Sequence, residues 1–467
     1  MKKYIKIAYL FIFTAFLFQL FPHPIGVISV DEVEHLRTSF LIHQGQVPFR
    51  DFFQHHGVLL QYLFSPVFFF VYRDPIIFWI ARIAVYLILL GCLYYGIKIL
   101  DCFKVNKLVS RLFFPLCWGL LAYENRAIFH FRPDVLMLFF FLIGVYYLFK
   151  FSNTYQVKSL SISFVALTLS FLSLQKIAVF YPIIILTCLY FLIRKKISIK
   201  KLCLASIPAG IILLGYISYL FFTDSLHAYI TCCITVNKLL MQSLTHPFQI
   251  SAGTNIGGVV SGAVFKYLPF FLISLPLIII RHRSICAALL SIFFLIAYTQ
   301  LCFCILWVQY IIPLFTIVAL LTTLILSDFY EEDNYNLRYI NILTCFLCLS
   351  IMITHAIFVK GDVNDYSTRY QKLLNIIKED YTVADEFRNF NIWNPTVAWH
   401  EFFLVQDIDY EALGLPKKDA NGAIRTHKPD IINAGVGPLL IDLQPEYEEI
   451  SKEKLGFNLS IWQKKKK

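Results

Sequence analysis

The chain is short of charge. Only 15% of its 467 residues are Asp, Glu, Lys or Arg, against about 25% in an ordinary soluble protein. A disordered chain needs more charge and less apolar bulk, so that class is excluded. An ordinary soluble enzyme is excluded too: 58% of the residues are hydrophobic, and a single globular core stops growing at about 250–300 residues. Cysteine is absent after Cys348, and most of the twelve cysteines sit inside apolar runs, for example Cys92, Cys117, Cys188, Cys302, Cys304 and Cys345. Vicinal Cys232–Cys233 is the odd pair. This distribution reads as small side chains packed among helices, not as a disulfide framework. No P-loop is present, because Gly253, Gly257, Gly258 and Gly262 lack the Gly-Lys-Ser/Thr ending and read as a flexible loop. Internal repeats and low-complexity segments are also lacking.

What remains is the composition of a polytopic membrane protein. The net charge of +11 reads as the Lys/Arg surplus of cytoplasmic loops rather than as a nucleic-acid footprint. A membrane helix needs about 20 apolar residues, and the nearly charge-free runs supply the candidates. Ile7 to Phe21 follows Lys2, Lys3 and Lys6; with Pro22-His23-Pro24 in place of a cleavage site, it reads as an uncleaved anchor that carries the chain outward. Residues 29–75 are then external. Further spans are expected at Ile76–Lys98, Leu112–Tyr123 and Pro133–Phe149, as two spans within 159–193 with Lys176 at their outer tip, and at Leu202–Phe222. After an external loop at 223–262 come Val264–Ile280, two spans within 284–327 with an outer turn near Trp307, and Tyr339–Phe358. This gives about 11 transmembrane helices, N-terminus in and C-terminus out, and every strongly basic short loop then falls on one side. Val58 to Tyr72 is apolar, but counting it as a span would break that pattern, so it reads as an interfacial or re-entrant helix. From Lys360 the chain becomes charged, with turn signals at Asn394-Pro395 and Gly435-Val436-Gly437-Pro438 and β-rich patches at Ile431-Ile432 and Leu439-Leu440-Ile441. The expected fold class is therefore an all-α polytopic membrane protein, residues 1–359, with a small C-terminal external α/β domain, residues 360–467.

The spans are almost free of charge at their centres, and charge collects at their external ends. An ion-coupled transporter would instead place ionisable groups near the midplane. The pattern suits an enzyme working at the outer membrane–water boundary on a lipid-linked substrate. Its densest part runs from Asp31-Glu32 through Gly45-Gln46-Val47-Pro48-Phe49-Arg50-Asp51-Phe52 to His55-His56-Gly57. A carboxylate held there can act as a general base or ligate a divalent cation; the plainer reading, acidic residues at a helix N-terminus, stands beside it. In the second external loop, Arg126, Arg132 and Asp134 flank a helix start. Arginine there suits a phosphate or simply snorkels to lipid headgroups, and Lys176 has the same two readings.

In order and sidedness these segments resemble the GT-C glycosyltransferases, most closely the branch of protein O-mannosyltransferases and aminoarabinose transferases. The resemblance rests on Asp31-Glu32 after the first span, Gly45 to Phe52, His56-Gly57, Arg132-Pro133-Asp134, Phe171 to Lys176, Trp307 to Leu314 and Lys428 to Ile432. His56-Gly57-Val58 departs from the usual His-x-Pro, and the tail is shorter than in many members. The resemblance implies an inverting transfer of a sugar from a polyprenyl-phosphate donor to a lipid, envelope glycan or protein. It implies Asp31 as base, with Glu32 orienting the acceptor or a divalent metal. Arg126, Arg132 and Lys176 would hold the donor phosphate. Asp134 would position Arg132 or contact the acceptor, and His55, His56, Asp51, Gln309 and Tyr310 would line the site. The implied setting is the bacterial inner membrane with an external tail. A lipid-linked glycan flippase or polymerase, which needs a membrane-crossing polar groove, and a receptor or scaffold binding protein through its tail are the competing readings.

Overall fold

The computed structural model describes residues 30–103, 105, 107–124, 126–239, 284–303, 312–332, 366–385, 391–395, 412–414, 420–433, 442–450 and 460–465. The expected spans at 7–21, 264–280 and 339–358 lie outside these residues, as do Gln309 and Tyr310.

Helix α1, Val30–His43, opens with Asp31 and Glu32 in its first turn and closes with His43 in its last. Acidic residues in a first turn suit the helix dipole. It stops at Gly45, whose φ of 80° only glycine adopts freely. The next turn is closed by Asp51, whose Oδ2 accepts from the Val47 amide at 2.7 Å, while Phe49 adopts φ 71° and is buried against Tyr229. Helix α2, Leu59–Phe64, continues into a 3-10 turn at Ser65–Phe69. Together they rise about 19 Å, short of the roughly 30 Å needed to cross a bilayer. Leu63, Phe69 and Phe70 on this element are exposed apolar side chains.

The helical body follows: α3 Ile76–Asp101, α4 Lys107–Glu124, α5 Pro133–Thr154, α6 Val157–Ser173, α7 Tyr181–Ile193 and α8 Ile199–Phe222. Then come the short α9, Leu226–Ile230, a π-helical turn at Thr231–Val236, α10 Ile285–Phe303 and α11 Ile312–Glu332. Apart from α9, which falls in the expected loop 223–262, these helices overlap the apolar runs where spans are expected. Four stretches are long and apolar enough to cross a membrane: Ile76–Asp101, Pro133–Thr154, Gln175–Ile193 and Ile199–Phe222. Along α8 the apolar side chains Leu204, Ile211, Leu214 and Phe221 point outward, a surface suited to lipid and not to water. Composition, helix length and arrangement together make this an integral membrane protein.

Small side chains bring α5 and α6 together. A Cβ on Gly144 would stand 2.7 Å from the Leu167 side chain, and Ser163 and Ser170 on α6 donate to the carbonyls of Gly144 and Met137 on α5 at 2.7 and 2.8 Å. Close approach and hydroxyl-to-carbonyl bonds of this kind hold helices where lipid supplies no hydrophobic drive. Trp118 on α4 donates to Thr316 on α11 at 3.1 Å.

The tail contains α12 Tyr366–Ile376, β1 Val383–Ala384, α13 Ala420–His427, β2 Ile431–Asn433, β3 Tyr447–Ile450 and β4 Ile461–Lys464. The strands form one sheet in the order β1-β2-β4-β3. β1 and β2 are parallel, and the other pairs are antiparallel. This sheet does not float free of the helices. Arg37 on α1 donates to the carbonyls of Ile392 and Asn394 at 3.2 and 3.0 Å, and Arg73 donates to the Asn394 side chain at 3.1 Å. Buried Trp393 packs edge-on against Phe40, Phe68 and Tyr72.

Candidate active site

Three chain segments converge at the start of α1. Asp31 leads the helix; Arg132 caps the N-terminus of α5, with Asp134 in its first turn; Lys176 lies in the short 3-10 turn Gln175–Phe180 that joins α6 to α7. An ion-pair chain links them. Arg132 Nη1 donates to Asp31 Oδ2, Arg132 Nε lies 3.3 Å from Asp134 Oδ2, and Lys176 Nζ donates to Asp134 Oδ1. Arg132 and Asp134 are buried, whereas the Asp31 side chain is 40% exposed. The chain thus ends at a carboxylate that an incoming group can reach, backed by two cations close enough to share one anion.

Glu32 faces the other way. Its carboxylate is fully buried and takes two hydrogen bonds from Arg82 on α3, Nε at 2.5 Å and Nη2 at 2.6 Å, and one from the Phe131 amide at 3.1 Å. Burial works to raise the acid's pKa, but the Arg82 charge and its hydrogen bonds outweigh burial and hold it below the usual carboxylate range. Asp31 and Glu32 therefore turn to different cations. Among the described residues no group of three or more His, Cys, Asp or Glu side chains is arranged to hold a metal ion. The pair does not present the converging oxygens that a hard cation requires.

Histidines form the wall beside this chain. His35 Nδ1 pairs with the Gln61 amide nitrogen at 2.9 Å, the His35 and His56 rings are 6.0 Å apart, and those of His55 and His56 are 3.8 Å apart. Burial, then the nearby Arg132 charge, pushes His35 down to about 3; burial, then His56, lowers His55 as well. These are neutral imidazoles at physiological pH. The segment carrying them is pinned from two sides. Gln175 accepts from the Gly57 amide at 3.1 Å and donates to the His55 carbonyl at 2.9 Å, and Asn237, just past the π-helical turn, donates to the same carbonyl at 2.9 Å. A Cβ on Gly57 would stand 2.3 Å from the Leu172 carbonyl oxygen, so only glycine fits there.

Of the residues expected at the site, the structure brings together Asp31, Arg132, Asp134 and Lys176, with His55 and His56 alongside. Asp51 is occupied elsewhere: it closes its own turn and pairs with Arg50, which also donates to the Thr223 carbonyl. Arg126 starts a 3-10 turn, Arg126–Phe129, and its side chain lies outside the description. Reading the sequence missed Arg82, Gln61, Gln175 and Asn237 as partners. Only Arg82 left a signal, a lone charge within an apolar span.

The same overall fold occurs in a solved structure. ArnT from Cupriavidus metallidurans bound to undecaprenyl phosphate superposes with a TM-score of 0.63, at 10% sequence identity, over 97% of this chain and 97% of that one. Its apo state matches with a TM-score of 0.62, at 11% identity, over 94% of each chain. The chain has the GT-C fold. The resemblance drawn from the loop motifs is thereby borne out at the level of fold. No family model matches the sequence, and no curated protein matches it.

Proposed function

We propose that this protein is an inverting glycosyltransferase that moves a sugar from a polyprenyl-phosphate donor to an acceptor at the external membrane surface. One observation carries the reading: Asp31, Arg132, Asp134 and Lys176 form a single ion-pair chain at the helix ends. Support comes from the fold, shared with an ArnT structure that holds undecaprenyl phosphate.

The acceptor hydroxyl or amine attacks the anomeric carbon while the bond from that carbon to the phosphate oxygen breaks. The bond's electron pair leaves with the lipid phosphate, and the acceptor proton goes to Asp31. One displacement inverts the anomeric configuration. Arg132 and Lys176 meet the charge on the departing phosphate, as preorganised cations do most effectively away from water; Arg126 is a further candidate for that role. Asp134 holds both cations in place. A donor phosphate competing for Arg132 releases Asp31 from its ion pair and frees it to accept the proton. The apolar helices face the polyprenyl chain, and the residue 360–467 unit lies outside the membrane, shaping the acceptor side. The setting is a bacterial inner membrane with the N-terminus cytoplasmic, and the acceptor is a lipid, an envelope glycan or a protein.

The test is mass spectrometry of envelope glycolipids and glycoproteins from a strain lacking the protein. A missing sugar mass, restored by the parent gene and not by Asp31→Asn, is the expected result. Full restoration by Asp31→Asn would move the weight to a receptor or scaffold.

A further inference from the structure

We infer that Arg82 is a positioning residue: through Glu32 it holds the Phe131 amide and thereby fixes the place of Arg132. The inference rests on the donor-phosphate reading of Arg132. Arg82 and Glu32 are 1% and 0% exposed, so neither offers a surface to substrate, and each must act through a neighbour.

The neighbours are specific. Glu32 follows Asp31 in the first turn of α1, and Phe131 precedes Arg132 at the mouth of α5. Glu32 Oε1 accepts from both the Arg82 guanidinium, at 2.5 Å, and the Phe131 amide, at 3.1 Å. A single carboxylate oxygen thus joins three elements: α1, α3 and the segment entering α5. One residue back on α1 and one residue on at the mouth of α5, Asp31 meets Arg132. Releasing Phe131 lets the segment carrying Arg132 shift, and roughly 1 Å of misplacement at a reacting group lowers activity by about a hundredfold. A buried ion pair adds little net stability over well-packed apolar residues. What Arg82 and Glu32 supply here is geometry, and that separates the positioning role from a merely structural one.

The experiment compares three proteins in detergent: the parent, Arg82→Met/Glu32→Leu, and Arg82→Gln/Glu32→Gln. The apolar pair fills the space but offers Phe131 no acceptor. The amide pair keeps a carbonyl oxygen for Phe131 and a hydrogen bond to position 82. Thermal stability is read first, then the affinity for undecaprenyl phosphate as probe. The apolar pair is expected to melt near the parent and to bind about tenfold more weakly, the order of one lost hydrogen bond. The amide pair is expected to recover to within about threefold of the parent. Parent-like affinity in a stable apolar pair would overturn the inference, as would an amide pair no better than the apolar one. Should the apolar pair fail to fold, Glu32→Gln decides: it keeps the Phe131 acceptor, so a loss beyond about tenfold would overturn the inference. If the parent itself does not bind undecaprenyl phosphate, the donor reading falls first and this inference falls with it.

Discussion

Trp393→Ala should weaken the docking of the tail on the helical body without unfolding either. Trp393 is 4% exposed and is held edge-on by Phe40, Phe68 and Tyr72 at centroid distances of 5.3, 5.3 and 5.6 Å. Truncating such a side chain costs about 3–5 kcal/mol, and edge-to-face pairs of this kind contribute to that figure. The remaining hold includes two Arg37 hydrogen bonds to the Ile392 and Asn394 carbonyls and one from Arg73 to the Asn394 side chain, each contributing about 1.5–3 kcal/mol because the donor is charged. The remaining contacts keep the segment docked most of the time, but its opening equilibrium should rise by two to three powers of ten, at about 1.4 kcal/mol per power. Hydrogen exchange reads this, because docking buries the Asn391 and Asn394 amides, which are bonded to the Asp385 and Asn391 side chains. Exchange across residues 391–395 should accelerate by that factor in Trp393→Ala and recover largely in Trp393→Phe, while α5 and α6 keep the parent's protection. Acceleration of less than tenfold would refute the view that this aromatic contact anchors the tail.

Asp31→Asn should lower sugar transfer by about 10²–10⁴-fold, the range for losing a general base, while raising affinity for undecaprenyl phosphate, because Arg132 then faces one competing carboxylate, Asp134, instead of two; transfer assays and titration on the same preparation check both. Gly57→Ala should lower the melting temperature and abolish transfer, since its Cβ would lie 2.3 Å from the Leu172 carbonyl oxygen and 2.8 Å from that of Ser173, backbone atoms that cannot turn aside; a thermal melt in detergent decides it. His35 should make stability acid-sensitive. Its pKa falls from an ordinary 6.5 to about 3 in the folded chain, so between these values only the unfolded chain takes up this proton. Its stabilising contribution is therefore full above pH 6.5 and is lost as pH falls toward 3, at up to about 1.4 kcal/mol per pH unit. His35→Gln should flatten the melting profile over that window, and an unchanged slope would contradict a buried neutral imidazole.

Much of the fold was legible because hydropathy and sidedness of charge are local quantities. The run Pro133–Phe149 became α5, the run Leu202–Phe222 lies within α8, and the lone Lys176 between two apolar stretches marked the turn that joins α6 to α7. The short apolar stretch after Gly57 proved too short to span a bilayer, as the loop charges required. Asp31 and Arg132 were legible as candidates, each a charge at the end of a helix. The division of labour between Asp31 and Glu32 was not. Successive residues on a helix point about 100° apart, so one carboxylate meets Arg132 and the other meets Arg82, and no local pattern says which. Nor did the motif around Asp51 reveal that its aspartate closes its own turn.

The sequence by itself determined that this is a membrane chain and that charge is gathered at helix ends. Those properties follow from the cost of moving each residue from water into hydrocarbon, a sum taken along the chain. Only the tertiary structure decided which charges pair. Glu32 with Arg82, Asp31 with Arg132, and Arg37 with the Asn394 backbone are separated in sequence by 50, 101 and 357 positions. A hydrogen bond forms within about 3 Å, so these pairings depend on how the helices cross and on where the tail docks, which no local signal along the chain encodes.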